Sequence, residues 1–263
     1  YIFDLILLNF KGKTQKILKK KFFYFLFVSL TWTNSQFFLA AFRAETNVVH
    51  TEKFPGRPTV AVVGGGVSGI LAAKKLLANH YNVIIFEKSD RLLGVWSSDA
   101  NEHSKLQVES YIYTPVGEPA IASQTTSESV YSSKQEILEY FSGFIAKYNL
   151  KQYLEMNAEV SHWSRLPNGN FEINYIQDDI QKRTEVQSLW VRTGSLNSPR
   201  RLEFDGEENF SGPIAYGIQN DTREVDYRGQ DVVIVGMGAT AMENAVHAYK
   251  QGAKSVTFIA RHR

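Results

Sequence analysis

The sequence predicts an α/β protein with two Rossmann-like dinucleotide-binding domains, the second entered late in the chain as the start of an inserted domain. Three observations predict it. Gly64-Gly65-Gly66-Val67-Ser68-Gly69 lies between a β-branched run and a segment with helical apolar spacing. Gly236-Met237-Gly238-Ala239-Thr240-Ala241 stands in the same context near the other end. Around each turn the apolar pattern changes from strand to helix and back to strand.

The elements follow in order. Residues 1–56 are read as a leader, targeting or linker segment. Lys11, Lys13, Lys16, Lys19, Lys20 and Lys21 face the single acid Asp4, an uncharged run from Phe22 to Phe42 follows, and small residues Ala40 and Ala41 close it. Basic, then apolar, then small is the order of a secretory or organelle-targeting leader. A membrane anchor and sequence foreign to the mature protein are the alternatives, and Thr31, Thr33, Asn34 and Gln36 weaken the anchor. The compartment is left open, with membrane association expected only through this segment. No methionine precedes Met156, so the chain is expected to be a fragment, incomplete at both ends.

Pro55-Gly56-Arg57-Pro58 punctuates the chain. Thr59 to Val63 then reads as a strand, Ser68 to Asn79 as a helix with Lys74 and Lys75 exposed, and Val83 to Phe86 as a second strand. The first domain is placed at 57–197. Its middle is expected to hold a helix from Lys134 to Tyr148 and strands at Glu159 to Ser164, Phe171 to Ile176 and Gln187 to Val191, with Asn168-Gly169 as a hairpin turn. The second domain begins at 198 and includes a strand Asp231 to Val235, a helix Thr240 to Gln251 and a strand Ser255 to Ile259.

Composition narrows the chemistry. A net charge of +2 over 263 residues gives no reason to expect a nucleic-acid partner. With no cysteine, thiolate metal sites, cysteine nucleophiles and a redox Cys-x-x-Cys are excluded. The six histidines, His50, His80, His103, His162, His247 and His262, show no metal-ligand spacing and read as surface or packing residues, so no metal is expected.

In the first turn, Gly64 permits the tight bend, Gly66 lets backbone N–H groups approach a pyrophosphate, and Gly69 lets helix and strand pack closely. Gly65, Val67 and Ser68 complete the loop that places the phosphate on the positive helix end. Glu87, 18 residues beyond Gly69, is placed to accept from a ribose hydroxyl pair and to repel a 2′-phosphate, which suits FAD or NAD. In the second turn Gly236, Gly238, Ala239, Thr240 and Ala241 repeat the pattern, with alanine in the third small position. Thr240 is a candidate cap or cofactor donor, while Glu243 and Asn244 read as exposed helix positions. Twenty residues beyond Ala241 stands Arg261, whose guanidinium favours a 2′-phosphorylated adenosine, hence NADPH.

Glu87-Lys88-Ser89-Asp90-Arg91-Leu92-Leu93-Gly94-Val95-Trp96 resembles the acidic-x6-Gly-x-Trp continuation of the flavin-containing monooxygenase family. That family carries a glycine pair before the x-Trp, and here Leu93 replaces the first glycine. Thr193-Gly194 resembles the family's step from one domain to the other, and Phe210-x-Gly212 resembles the start of its Phe-x-Gly-x-x-x-His signature. Tyr216 occupies the histidine position, so no role of that histidine is carried over. The resemblance covers roughly residues 59 to 263. It implies FAD in the first site, with Gly94, Val95 and Trp96 beside it and Asn101 as a candidate near the flavin ring. It further implies that NADPH reduces FAD, that the reduced flavin traps O2 as a hydroperoxide, and that one oxygen passes to a soft nitrogen or sulfur of a small-molecule substrate. The cofactor carries such chemistry, so no catalytic side chain is named. A two-dinucleotide disulfide reductase shares the plan but lacks its cysteines here. A truncated, non-catalytic nucleotide-binding protein is the remaining alternative.

Overall fold

The computed structural model describes residues 46–47, 53–121, 130–195, 203–217 and 221–260. The chain divides into two compact units, Tyr1–Thr46 and Asn47–Arg263. A two-residue strand, Thr46–Asn47 (β1), precedes the main body.

Thr59–Val63 (β2), Val67–Ala78 (α1) and Asn82–Phe86 (β3) form the first βαβ unit, with β2 and β3 parallel. Every residue of β3 is buried, as in a parallel strand covered on both faces. Val95–Ser98 (α2) and Ser110–Tyr113 (α3) are single turns, followed by the long helix Lys134–Lys147 (α4). That helix starts where a capping box sets it. The Ser133 hydroxyl accepts from the Glu136 N–H at 3.3 Å, and the Glu136 carboxylate accepts from the Ser133 N–H at 2.7 Å. Its buried residues Ile137, Tyr140, Phe141, Phe144 and Ile145 recur at the spacing of one helix face.

The chain then forms Leu154–Glu155 (β4), Ala158–Arg165 (β5), Phe171–Gln177 (β6), Ile180–Val186 (β7) and Ser188–Val191 (β8). Strands β5, β6 and β7 run as an antiparallel meander. The expected hairpin turn is present, with Gly169 at φ 87° and its N–H donated to the Leu166 carbonyl. Strand β7 was not expected. Its turn uses Asp178 and Asp179, both at positive φ, where sequence reading looks for Asn-Gly or Asp-Gly. The remaining expected elements are present, with no end displaced by more than one residue. Lys74 departs from expectation: it is half-buried, 4.0 Å from Glu118 and over the Tyr148 ring.

The parallel sheet has the order β4-β3-β2-β8. On one face Val60, Val62, Val83 and Ile85 pack against α1 and α4 through Ile70, Ala73, Leu76 and Phe141. On the other, Ala61, Ile84 and Phe86 pack against Ala158, Ile173, Tyr175 and Val186 of the meander. Each fully buried Ile, Val or Phe contributes roughly 1.5–3 kcal/mol, so the first domain is held as helix, parallel sheet and meander in three layers. Asp231–Val235 (β9), Ala239–Lys250 (α5) and Ser255–Ile259 (β10) form the second βαβ unit, with β9 and β10 parallel.

Candidate dinucleotide sites

Strands β2, β3 and β8 run parallel, so their carboxyl ends meet at one edge. Strand β2 is flanked by β3 on one side and β8 on the other, and such a reversal of strand order is where parallel sheets receive ligands. At this edge Gly64 takes φ 112° and donates its N–H to the Phe86 carbonyl at 2.8 Å. A Cβ on Gly64 would stand 2.5 Å from the Arg192 carbonyl oxygen, because the chain leaving β8 passes directly over the turn. A Cβ on Gly69 would stand 1.8 Å from the Gly64 carbonyl oxygen, which accounts for the close approach of α1 to β2. A Cβ on Gly66 would meet nothing within 4 Å. The space in front of the helix start is therefore open.

Gly66 is the N-cap of α1 and provides no side chain, so the first N–H groups of the helix, at Val67 and Ser68, have no side-chain acceptor at the cap. They face that open space as an anion site. Glu87, 8% exposed, lies beside the turn. One carboxylate oxygen accepts from the Gly65 N–H at 2.8 Å, and the other accepts from the Ser89 N–H and hydroxyl, each at 2.9 Å. The oxygen bound to Gly65 keeps a lone pair for a further donor.

Leu93 sits at φ 76°, the left-handed conformation that a glycine would adopt without strain, and its side chain is 3% exposed within the core. Its N–H bonds to the Gly65 carbonyl, which ties this segment to the glycine turn. Gly94 follows at φ 53°, and a Cβ there would lie 3.5 Å from the Gly66 Cα. Thus Gly94 and Gly66 face one another across the turn. Val95 is exposed, whereas Trp96 is half-buried and donates its indole N–H to the Tyr113 hydroxyl at 2.8 Å. Burial raises the pKa of that Tyr113 phenol, partly offset by the Trp96 bond. Thr193 and Gly194, both exposed, continue from the chain that crosses Gly64, with Gly194 at φ 78°. An open cleft of about 470 Å³ beside α1 is lined by Val67, Ser68, Leu71, Tyr113, Trp190 and Arg192.

The second turn repeats the first. Gly236 takes φ 117° and donates its N–H to the Ile259 carbonyl at 2.8 Å, the counterpart of Gly64 and Phe86. Gly238 caps α5 without a side-chain bond, and a Cβ on it would meet nothing within 4 Å. Ala239 and Thr240 are exposed and Ala241 is half-buried. Thr240 is not the cap of α5, since Gly238 is.

If Ile259 is the counterpart of Phe86, the counterpart of Glu87 is Ala260. The connection from α5 to β10 is one residue longer than that from α1 to β3, which moves the register by one. Arg261 follows immediately and lies outside the described residues.

Asn101 is buried and does two things. Its side-chain oxygen accepts from the His103 N–H, a turn contact, and its amide donates to Asn244 of α5 at 3.1 Å. Ser104 likewise donates to Glu243 at 2.5 Å. Glu243 and Asn244 are thus half-buried contacts to the first domain and not the exposed positions expected from sequence. A spacing argument had no means of finding them, because their partners lie 139 and 143 residues away.

Comparison with known proteins agrees with this geometry. Residues 57–262 match the model of the flavin-binding monooxygenase-like family. A trimethylamine monooxygenase from Pelagibacter sp. (strain HTCC7211) is 32% identical over 136 residues, covering 50% of this chain and 30% of that protein. The S-allyl-L-cysteine S-oxygenase of Allium sativum superposes with a TM-score of 0.66 at 18% identity, over 78% of this chain and 51% of its own. The OTEMO complex with FAD and NADP gives 0.62 at 22% identity, over 77% and 38%. This chain spans between 30% and about half of the length of the curated relatives it matches.

Proposed function

Because the chain belongs to the flavin-binding monooxygenase-like family, we propose that it seats FAD in its first glycine turn and NADPH in its second, and that the protein oxygenates a soft nitrogen or sulfur on a small molecule. The observation that carries the reading is the repeated turn: a positive-φ glycine bonded to the next strand, then a helix whose N-terminus is capped by no side chain and opens on free space. The residues present fit both groups. The N–H groups at the start of α1 would hold the FAD pyrophosphate, and Glu87 would accept from a ribose hydroxyl while rejecting a 2′-phosphate. At the second turn Ala260 offers no such repulsion, which suits NADPH, and Arg261 next to it would supply a phosphate partner. Gly94 leaves room opposite Gly66 for the same pyrophosphate. When bound, FAD reduced by NADPH supplies oxygen activation and transfer from O2. The protein's part is to bind, orient and exclude water.

Nitrogen and sulfur substrates are supported by the names of the two relatives, one a trimethylamine monooxygenase and one an S-oxygenase. Any membrane association is assigned to residues 1–56; among the described residues no helix is long and apolar enough to cross a membrane. The test is to purify the protein and follow flavin absorbance and NADPH oxidation in air. A yellow protein bleached by NADPH, with oxidation coupled to trimethylamine or a dialkyl sulfide and little peroxide released, is the expected result. A protein that binds neither flavin nor NADPH overturns the reading.

A further inference from the structure

Helix α5 carries His247 one turn beyond Glu243 and Asn244, on the face that meets the loop 101–104. His247 is 4% exposed, and its Nδ1 is buried with no hydrogen-bond partner. His103 Nε2, from the loop, is buried and without a partner in the same way. Glu102 closes the group: one of its oxygens lies 3.4 Å from His103 Nε2 and 3.7 Å from His247 Nδ1. All three ligand atoms fall within 4.8 Å of one another. Two buried ring nitrogens that flank one carboxylate oxygen without a hydrogen bond to it make a costly arrangement unless something bridges the three atoms.

We propose that Glu102, His103 and His247 form a binding site for a divalent transition-metal ion, of which Zn2+ is the type, joining the loop of the first domain to the helix of the second. The donor set decides the class. Two imidazole nitrogens and one carboxylate suit Zn2+, Co2+ or Cu2+, whereas Mg2+ and Ca2+ take oxygen ligands. Geometry agrees. Ligand bonds of about 2.0–2.1 Å in a tetrahedral set place ligand atoms roughly 3.3–3.5 Å apart. The Glu102 separations already approach this, and the two imidazole nitrogens, within 4.8 Å of each other, would have to close by up to about 1.4 Å. Gln251 donates to the Glu102 carboxylate at 2.8 Å and steadies the most exposed ligand. Asn101 and Ser104 dock the loop on α5 whether or not metal is present, so the site needs little ordering to bind. Three protein ligands leave a fourth position for water.

The site is independent of flavin, and so is its test. The full chain, dialysed against EDTA, is titrated with Co2+ and followed by its visible d–d absorption, then with Zn2+ in competition. Saturation at one equivalent, with bands as intense as four-coordinate cobalt gives, is expected. Glu102→Gln and His103→Ala lie on a surface loop, and circular dichroism checks that both remain folded. Each should weaken Zn2+ binding at least about tenfold, the least that even the loss of an outer-sphere partner costs such sites, and each should abolish the rise in Tm that Zn2+ gives the parent protein. His162→Ala, on an exposed strand position, should change neither reading. Absence of saturable binding overturns the proposal, and so does binding that survives both loop substitutions unchanged.

Discussion

Gly66 and Gly69 stand three residues apart at the start of α1, and the structure gives them opposite tasks that substitution should separate. In Gly69→Ala the new Cβ would stand 1.8 Å from the Gly64 carbonyl oxygen and 3.0 Å from its carbon, both backbone atoms. Ordinary contact needs roughly 3.4 Å, so α1 and the β2 turn must part by about 1.5 Å. That movement loosens Ile70, Ala72, Ala73 and Leu76, all buried against the sheet. Overpacking of this kind costs about 1–3 kcal/mol. At about 2–4 °C per kcal/mol for a protein of this size, Tm should fall by roughly 2–12 °C without ligand. In Gly66→Ala the added Cβ meets nothing within 4 Å, so the ligand-free protein should melt within about 2 °C of the parent. The methyl nevertheless occupies the space a pyrophosphate needs, and bound flavin should drop sharply. Thermal melts by circular dichroism of the apoprotein, paired with flavin absorbance of the protein as purified, give both readings. If Gly66→Ala retains full flavin, or Gly69→Ala melts like the parent, the division of labour between these glycines is wrong.

Glu87→Gln places an amide among three donors, loses at least one charge-assisted bond worth about 1.5–3 kcal/mol, and should lower both apoprotein Tm and flavin content; an unchanged melt refutes this. Leu93→Gly relieves about 1 kcal/mol of left-handed strain but forfeits roughly 2 kcal/mol of apolar burial and adds chain entropy, so Tm should fall; a rise means that strain dominates. Burial pushes the Glu118 pKa upward, but hydrogen bonds from Lys147 and Tyr148 and the charges of Lys147 and Lys74 outweigh it and hold the carboxyl below its usual value. A depressed pKa contributes stability above the unfolded value and loses it as pH falls through the folded one. Glu118→Gln should therefore flatten the fall of Tm between about pH 5 and pH 3, and an identical acid limb in the two proteins counts against it. Ala260→Glu adds a like charge beside the 2′-phosphate, worth about 1–2 kcal/mol near water, and should lower affinity for NADPH relative to NADH roughly five- to thirtyfold by fluorescence titration; an unchanged ratio refutes the assignment of the second turn.

Both βαβ units were legible in the sequence because their rules are local. A tight turn needs its glycine, a close helix needs a small residue, and the strand-helix-strand pattern spans about thirty residues. Glu87 was found on the same ground, and its carboxylate does lie against the turn, bonded to Gly65. What escaped is non-local or chemically disguised. Strand β7, with its charged residues Lys182, Arg183 and Glu185, is a strand because Thr184 and Val186 turn inward against the meander's buried side, and its Asp-Asp turn carries no glycine to announce it. His103 and His247 read as isolated residues, since no spacing rule joins positions 144 apart until α5 docks on the loop. The second unit shows the limit most sharply. Counting 18 residues from Ala241, the spacing of Gly69 to Glu87, reaches Ile259, but strand pairing puts Ala260 at the position of the acid, because the loop before β10 holds one more residue; Arg261 stands one position further along the chain. A count along the chain cannot sense an inserted loop residue, whereas the Gly236 hydrogen bond to Ile259 fixes the register directly. The electrostatic contrast between the two turns then rests first on a carboxylate present at Glu87 and absent at Ala260. On the proposed reading, a carboxylate would reject a 2′-phosphate at the first turn and nothing at Ala260 would do so at the second, before any arginine is considered.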